Sequence, residues 1–206
     1  MSKETDQKSI IVERAFESFI QEGPKNFTVE SLASDLGMSK KTIYKYFPTK
    51  DVLIDKLFDF FTSSIKQQFK KIANSDENPV IKFNLVTNYL FKKIMHIPSK
   101  TIMEIKIRHP NIWKKMEQFR LENTMLIADF FKDAQKQGLA KSDIDMDKAA
   151  IIFLNLVNNT FQPEFFIENN IAPVDAIKLF MQMISDGIFI KPEEKKQNHN
   201  KLIWES

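Results

Sequence analysis

Residues 28–50 constrain the fold of this chain more than any other stretch, because they contain two short segments with a stop between them. The first begins at Thr28, whose hydroxyl can accept a hydrogen bond from a backbone N–H at a helix start. Gly37 follows it, and glycine adopts the left-handed backbone of a helix end with little strain. Ser39 can begin the second segment, which runs to Phe47. The stretch therefore predicts two helices joined by a tight turn.

Each of these two segments has an apolar side and a polar side. The apolar positions of the first are Val29, Leu32, Ala33 and Leu36. They recur every three or four residues, which is the spacing of one helix face. In the second segment Ile43 and Phe47 are apolar, and residues 38–50 contain four lysines and no Asp or Glu. A helix-turn-helix with such a basic, acid-free second helix suits a polyanion.

The rest of the chain favours an all-α fold of about nine helices. Only four glycines occur in 206 residues, and no sustained alternation of β-branched and polar residues appears. Pro163 either kinks a continuous helix or starts a new one. Outside the helix-turn-helix, the predicted helices cover about 8–22, 50–73, 79–97, 100–108, 110–137, 146–161, 163–169 and 173–190.

Composition excludes several classes of protein. The chain has no cysteine, which rules out disulfides and thiolate chemistry. Its three histidines lack metal-ligand spacing, and no glycine-rich phosphate loop is present, so we expect neither an enzyme, nor a metal, nor a cofactor. Glu104 and Glu117 are expected to be solvated surface carboxylates. A polar amino terminus and the lack of an apolar run of ~20 residues predict a cytoplasmic protein without membrane association.

The order of residues in the first 55 positions resembles the amino-terminal domain of TetR-type transcriptional regulators. The residues that carry the resemblance are Ile11, Ala15, Phe19, Gly23, Thr28, Ala33, Gly37, Ser39, Lys41, Thr42, Tyr44, Phe47, Lys50 and Leu53. Lys41 departs from the pattern, since many relatives carry glycine there. The resemblance implies a dimeric repressor whose carboxy-terminal part encloses a small-molecule pocket. We accordingly expect a DNA-binding domain at 1–55, a regulatory and dimerisation domain at 56–190, and a polar tail at 191–206.

Two kinds of DNA contact are expected from the helix-turn-helix. The residues expected at phosphates are Thr28, Lys40, Lys45, Tyr46 and Lys50. Those expected in the major groove are Lys41, Thr42 and Tyr44, because Lys can donate to guanine and a Thr methyl can touch thymine. Ser39, at the start of the second helix, completes the DNA-binding set. One such helix contacts too few base pairs, so the operator should be an inverted repeat bound by a dimer.

The resemblance also implies an effector site, for which the lining should be apolar with a few polar groups. The candidate residues are Phe91, Met95, Met103, Trp113, Met116, Phe119, Asn155 and Asn159. Apolar side chains at helical spacing fit a packed core equally well. An apolar or amphipathic effector is therefore one possibility, and a DNA-binding helical protein without a small-molecule sensor is the alternative.

Dimerisation is expected through the helices at 146–161 and 173–190, with two helices from each chain forming a four-helix bundle. The residues predicted at this interface are Phe153, Leu154, Val157, Ile177, Phe180, Met181 and Ile184. The predicted partners are thus a double-stranded DNA operator, a second copy of the chain and a small-molecule effector.

Overall fold

The computed structural model describes residues 3–160 and 162–190. These residues form α-helices and no β-strand, apart from an isolated antiparallel bridge between Ala140 and Phe189. The predicted all-α fold is therefore confirmed. The polar tail predicted at 191–206 lies outside the described residues.

The described part of the chain contains ten helices. Their bounds are α1 Lys3–Glu22, α2 Val29–Asp35, α3 Lys40–Tyr46, α4 Lys50–Ala73, α5 Pro79–Ile94, α6 Ser99–Arg108, α7 Pro110–Lys136, α8 Met146–Thr160, α9 Pro163–Glu168 and α10 Pro173–Ile188.

The helix bounds differ from the sequence prediction at the start of α1, and they decide what happens at Pro163. α1 begins at Lys3 rather than at about Lys8, which adds more than one turn before the first core residue. Pro163 starts a separate helix, because proline has no N–H to donate and fits the first helical position. The chain therefore starts a new helix at this proline rather than continuing a kinked one. This separate helix brings the count among the described residues to ten, against about nine expected.

The chain divides into two compact units, each built from separate stretches. Unit 1 contains the described residues up to Lys70 together with 96–119 and 163–172. Unit 2 contains 71–95, the described residues of 120–162, and those from Pro173 onward. The functional boundary predicted at residue 55 is a different kind of division and stays a prediction.

The core of unit 1 forms around the aromatic residues of α1 and α4. Phe19 is fully buried, and its ring centroid lies 5.5 Å from that of Phe27 and 6.2 Å from that of Phe58. Ile105 of α6 and Ile112 of α7 belong to the same buried cluster. The helix-turn-helix is therefore packed into a core to which α6 and the start of α7 also contribute.

The core of unit 2 is a chain of phenylalanine rings. Phe131 is fully buried and lies 5.7 Å from Phe83 and 5.2 Å from Phe153, measured between ring centroids. Phe189 closes the cluster at 5.2 Å from Phe83. Such tilted and edge-to-face arrangements match the preferred packing of aromatic rings.

Candidate DNA-binding interface

Side-chain caps define where each helix of the helix-turn-helix begins. The Thr28 hydroxyl accepts a hydrogen bond from the Ser31 N–H at 3.1 Å, and the Ser39 hydroxyl accepts from the Thr42 N–H at 3.1 Å. These bonds satisfy backbone donors that have no partner within their helix. Between the helices Gly37 adopts a φ of +60°, a conformation that strains residues with a Cβ. The local sequence signals thus act as predicted.

The outer side of α3 is available to a partner. Ile43 is fully buried in the unit 1 core, whereas Lys41 and Lys45 are exposed and Thr42 is half-buried. The Tyr44 side chain is 39% exposed. The residues predicted to enter a groove therefore lie on the surface, with the apolar side of the helix turned into the protein.

Lys40 lies against a carboxylate that the acid-free sequence window did not reveal. Its ammonium donates a hydrogen bond to the Glu30 carboxylate of α2, ten residues earlier in the chain. This hydrogen bond lowers the pKa of Glu30 and raises that of Lys40. Both side chains are exposed, and an exposed ion pair exchanges readily with water and salt. Lys40 can therefore transfer to a phosphate.

Lys50 has an internal role that sequence reasoning missed. Its ammonium donates to the Phe27 carbonyl oxygen and lies 5.4 Å from the centroid of the Phe27 ring. Lys50 is half-buried, so it holds the turn between α1 and α2. The phosphate contact predicted for it stays a prediction.

Glu104 of α6 holds the same turn from another side. Its carboxylate accepts a hydrogen bond from the Lys25 N–H at 3.1 Å, although the two residues are 79 positions apart. Gly23 adopts a φ of +81°, and a Cβ there would lie 3.4 Å from the Glu104 Oε2 atom. The expectation that Glu104 is a solvated surface carboxylate is therefore wrong: it is half-buried and bonded to the backbone before α2. No short-range sequence signal points to this contact.

The predicted effector residues are divided between the two units. Met103, Trp113, Met116 and Phe119 belong to unit 1, and Phe91, Met95, Asn155 and Asn159 belong to unit 2. Trp113 is buried, with Lys106 lying 5.4 Å from its ring centroid. Asn155 and Asn159 are exposed, and the Asn155 amide donates to the Ile151 carbonyl of its own helix at 2.9 Å. Their role in a pocket stays a prediction.

Unit 1 contains a cavity of about 280 Å³ that the sequence did not predict. Its lining residues are Asp51, Ile54, Asp55, Arg108, His109, Pro110, Asn111 and Ile112. None of the predicted effector residues is among them. Burial lowers the pKa of His109 below its ordinary value; Lys50 and Arg108 add to this effect, and Asp51 opposes it.

The predicted dimer residues include several that are already packed within their own chain. Phe153, Val157 and Met181 are buried, and Phe153 stacks on the ring of Phe180 with 5.7 Å between centroids. A side chain buried in one subunit adds little to a contact with another. The exposed apolar residues of the same two helices are Ile151, Ile152, Leu156, Leu179 and Met183. Both sides of α8 are apolar, so sequence periodicity could not identify the outer one.

No metal-binding group of three His, Cys, Asp or Glu side chains occurs among residues 3–160 and 162–190. In the same part of the chain, no helix has the length and hydropathy needed to span a bilayer.

Comparisons with known proteins agree with this fold. A family model for bacterial regulatory proteins of the TetR family matches residues 11–57. The HTH-type transcriptional regulator YvaF of Bacillus subtilis (strain 168) is 22% identical over 164 residues, covering 79% of this chain and 86% of YvaF.

Solved structures show the same architecture. A TetR transcription regulator from Haloarcula marismortui is 16% identical, with a TM-score of 0.69 over 90% of this chain and 100% of that one. The ketosteroid transcriptional regulator KstR2 of Mycobacterium tuberculosis is also 16% identical, with a TM-score of 0.58 over 90% of this chain and 96% of that one. Residues 11–57 therefore match the TetR family of bacterial regulatory proteins, and the described part of the chain has the fold of TetR-type transcriptional regulators.

Proposed function

We propose that this regulator represses transcription by binding an inverted-repeat operator in double-stranded DNA as a homodimer. The observation that carries the proposal is the outer side of α3, where Lys41, Tyr44 and Lys45 are exposed on a capped helix. An exposed α-helix of this width fits the major groove of B-DNA. KstR2, to which the chain is similar, is described as a transcriptional repressor. The proposed DNA-binding role also implies a cytoplasmic protein.

The DNA-binding function is proposed for residues 1–55, and regulation and dimerisation for 56–190. We propose that the dimer forms through the outer sides of α8 and α10, where Ile152 is 59% exposed and Met183 is 64% exposed. Covering apolar side chains this exposed with a second copy removes them from water, which stabilises the dimer. A symmetric pair of α3 helices would then contact two half-sites about one or more helical turns (~34–36 Å) apart.

We further propose that a small apolar or amphipathic molecule releases the repressor from DNA. This proposal is supported by the similarity to TetR-type regulators and by the aromatic and methionine residues predicted to line the effector site. Release requires that the ligand bind more tightly to a conformation that DNA does not select, since equal affinity for both conformations shifts nothing.

Operator binding can be tested by fluorescence anisotropy with DNA from upstream of the protein's own gene. We expect Lys41→Ala and Tyr44→Ala each to lose roughly 1–3 kcal/mol of discrimination between operator and scrambled DNA. Lys136→Ala is the matched control, because Lys136 is an exposed lysine of unit 2 that pairs with Asp133. Equal affinity of the wild-type protein for operator and scrambled DNA at ~150 mM salt would refute specific regulation.

A DNA-binding protein without a sensor is the second candidate function. It is favoured by the packed phenylalanine cluster of unit 2, because rings in such close contact leave no room for a ligand between them. Screening metabolites for a rise in melting temperature separates the two, because a ligand that binds the native state stabilises it by mass action. Stabilisation accompanied by loss of operator binding supports the sensor, and a broad screen without a shift supports the alternative.

A further inference from the structure

The cavity of unit 1 combines apolar and charged lining residues. Ile54 of α4 and Ile112 of α7 are buried and belong to the core of this unit. Asp51 and Arg108 line the same cavity and are exposed to solvent. Small-molecule sites typically combine apolar walls with a few polar groups. The cavity volume of about 280 Å³ lies just below the ~300–1,000 Å³ of pockets for drug-sized ligands, so it suits a smaller molecule.

Two opposite charges at this cavity are available to an occupant. Asp51 lies in the first turn of α4, and Arg108 is the last residue of α6. Within residues 3–160 and 162–190, neither side chain has an ion-pair partner. Asp55, which also lines the cavity, is instead paired with Lys115 of α7. One carboxylate and one guanidinium therefore remain for a ligand.

His109 lies close to both of these charges. Burial is the main cause of its lowered pKa; Asp51 raises that pKa and Arg108 lowers it, so both charged groups act on the same ring. A histidine with a lowered pKa is neutral near pH 7. His109 therefore adds no charge to the cavity, and the balance of one negative and one positive group is kept.

We propose that this cavity binds a small zwitterion whose ammonium and carboxylate are separated by a short apolar chain. The ammonium donates to the Asp51 carboxylate, and the ligand carboxylate accepts from the Arg108 guanidinium. The chain between them covers Ile54 and Ile112. Hydrogen bonds between ionised groups are the strongest that such a ligand can make, and Arg matches the planar geometry of a carboxylate. The site shares no residue with the predicted effector site.

An occupant of this cavity lies close to the support of the helix-turn-helix. The His109 ring lies 6.0 Å from that of Phe19, and Phe19 lies 5.5 Å from Phe27, measured between centroids. Lys50, which directly precedes Asp51, donates to the Phe27 carbonyl oxygen. A bound zwitterion therefore stabilises the part of unit 1 from which α2 begins.

Isothermal titration calorimetry with two zwitterions of different length tests the proposal. The probes are 4-aminobutyrate and 6-aminohexanoate, and the controls are the amines and acids of the same carbon number: butylamine, butyrate, hexylamine and hexanoate. We expect at least one zwitterion to bind roughly tenfold more tightly than its amine and its acid, because each control lacks one charge-assisted hydrogen bond. The zwitterion that binds should also raise the melting temperature by mass action.

Substitutions at the two charges locate the site. Asp51→Asn and Arg108→Gln should each weaken binding of the zwitterion roughly tenfold. Both side chains are exposed, so the unliganded variants should melt within a few degrees of the wild type. Asp143→Asn is the matched control, because Asp143 is an exposed carboxylate of unit 2, and it should keep the wild-type affinity.

Two results would overturn the zwitterion site. One is that neither zwitterion binds more tightly than the amine and acid of its own carbon number. The other is that both variants bind the zwitterion as tightly as the wild type. Since these measurements use no DNA, either result leaves the proposed repressor function as it stands.

Discussion

At the scale of single residues, the turn before α2 shows how distant side chains set the position of a binding element. Lys50 donates to the carbonyl of Phe27 at one end of this turn, and Glu104 accepts from the N–H of Lys25 at the other. The turn has its own hydrogen bond, in which the Asn26 amide donates to the Glu22 carbonyl at 3.0 Å. Because α2 follows directly, the two long-range contacts fix where the helix-turn-helix begins.

Replacing Glu104 should therefore affect both stability and DNA binding. Glu104→Ala leaves the Lys25 N–H without its acceptor, and we expect a loss of about 1 kcal/mol in the free energy of unfolding. Glu104→Gln retains an oxygen acceptor and should lose less than half as much. Urea unfolding with operator titration measures both effects. If Glu104→Ala matches the wild type in both, the carboxylate does not hold the turn.

His109 should make stability depend on pH. It is packed beside Phe19, with 6.0 Å between ring centroids, and burial lowers its pKa. A lowered pKa means that the unfolded chain binds the proton more readily, so stability falls as pH drops below the ordinary histidine value of about 6.5. The loss is complete once the pH has passed below the pKa of the folded state.

Thermal unfolding between pH 7.5 and 5.5 checks this expectation. His109→Gln should show a weaker decline than the wild type, since it no longer titrates. The control is His96→Gln, which should keep the wild-type decline because His96 is exposed. An identical decline in the His109 variant would show that other groups cause the pH dependence.

At the scale of helices, α2 and α3 depend on their caps and on the core. Each has seven residues, and helices this short are not stable alone in water. Thr28 and Ser39 satisfy their first backbone donors, while Leu32 and Ile43 anchor them to the unit 1 core. Local capping and distant packing therefore act on the same two helices.

Substitutions at Ser39 can separate folding from DNA binding. Ser39→Ala removes the cap of α3 and should lower the free energy of unfolding by about 1 kcal/mol. Ser39→Asp restores a capping oxygen, so it should unfold like the wild type. The aspartate's negative charge would face the DNA phosphates that α3 is proposed to approach, so operator affinity should still fall. If Ser39→Asp binds operator as tightly as the wild type, the start of α3 does not approach DNA.

At the scale of the whole molecule, the two units have separate aromatic cores, and unit 2 also leaves apolar side chains exposed. Ile151 and Leu179 are each 60% exposed on α8 and α10. Neither helix needs these side chains for its own core, because other residues, Phe153 and Met181 among them, are the buried ones. A second copy of the chain is the occupant that we propose for this surface.

A charged substitution on that surface should dissociate the dimer. Ile152→Lys places an ammonium in an apolar contact on both sides of a symmetric interface, so we expect at least a tenfold weaker dimer by analytical ultracentrifugation. Ile107→Lys is the control, because Ile107 is 70% exposed on α6 of unit 1. A wild-type protein that stays monomeric at micromolar concentration would contradict the proposed dimer.

Sequence alone determined most of the helix ends and which residues of α3 lie on the surface. The signals that set these helices act over three or four neighbouring residues. They are capping residues, glycine and proline positions, and apolar spacing, and they can be recognised in the sequence without knowledge of the fold. Such local chemistry explains why the two helices of the helix-turn-helix start after Thr28 and Ser39, and why the turn between them contains Gly37. The exposure of Lys41 and Tyr44 also follows, since Ile43 must turn inward.

The tertiary structure decided which groups these residues meet. The contacts of Tyr46 with Gln7 and of Glu104 with Lys25 join residues 39 and 79 positions apart, and no local pattern encodes such distances. The outer side of α8 was likewise undetermined, because both of its sides are apolar and only neighbouring helices decide which is buried. Periodicity sets the shape of a helix, whereas its environment depends on packing between distant segments.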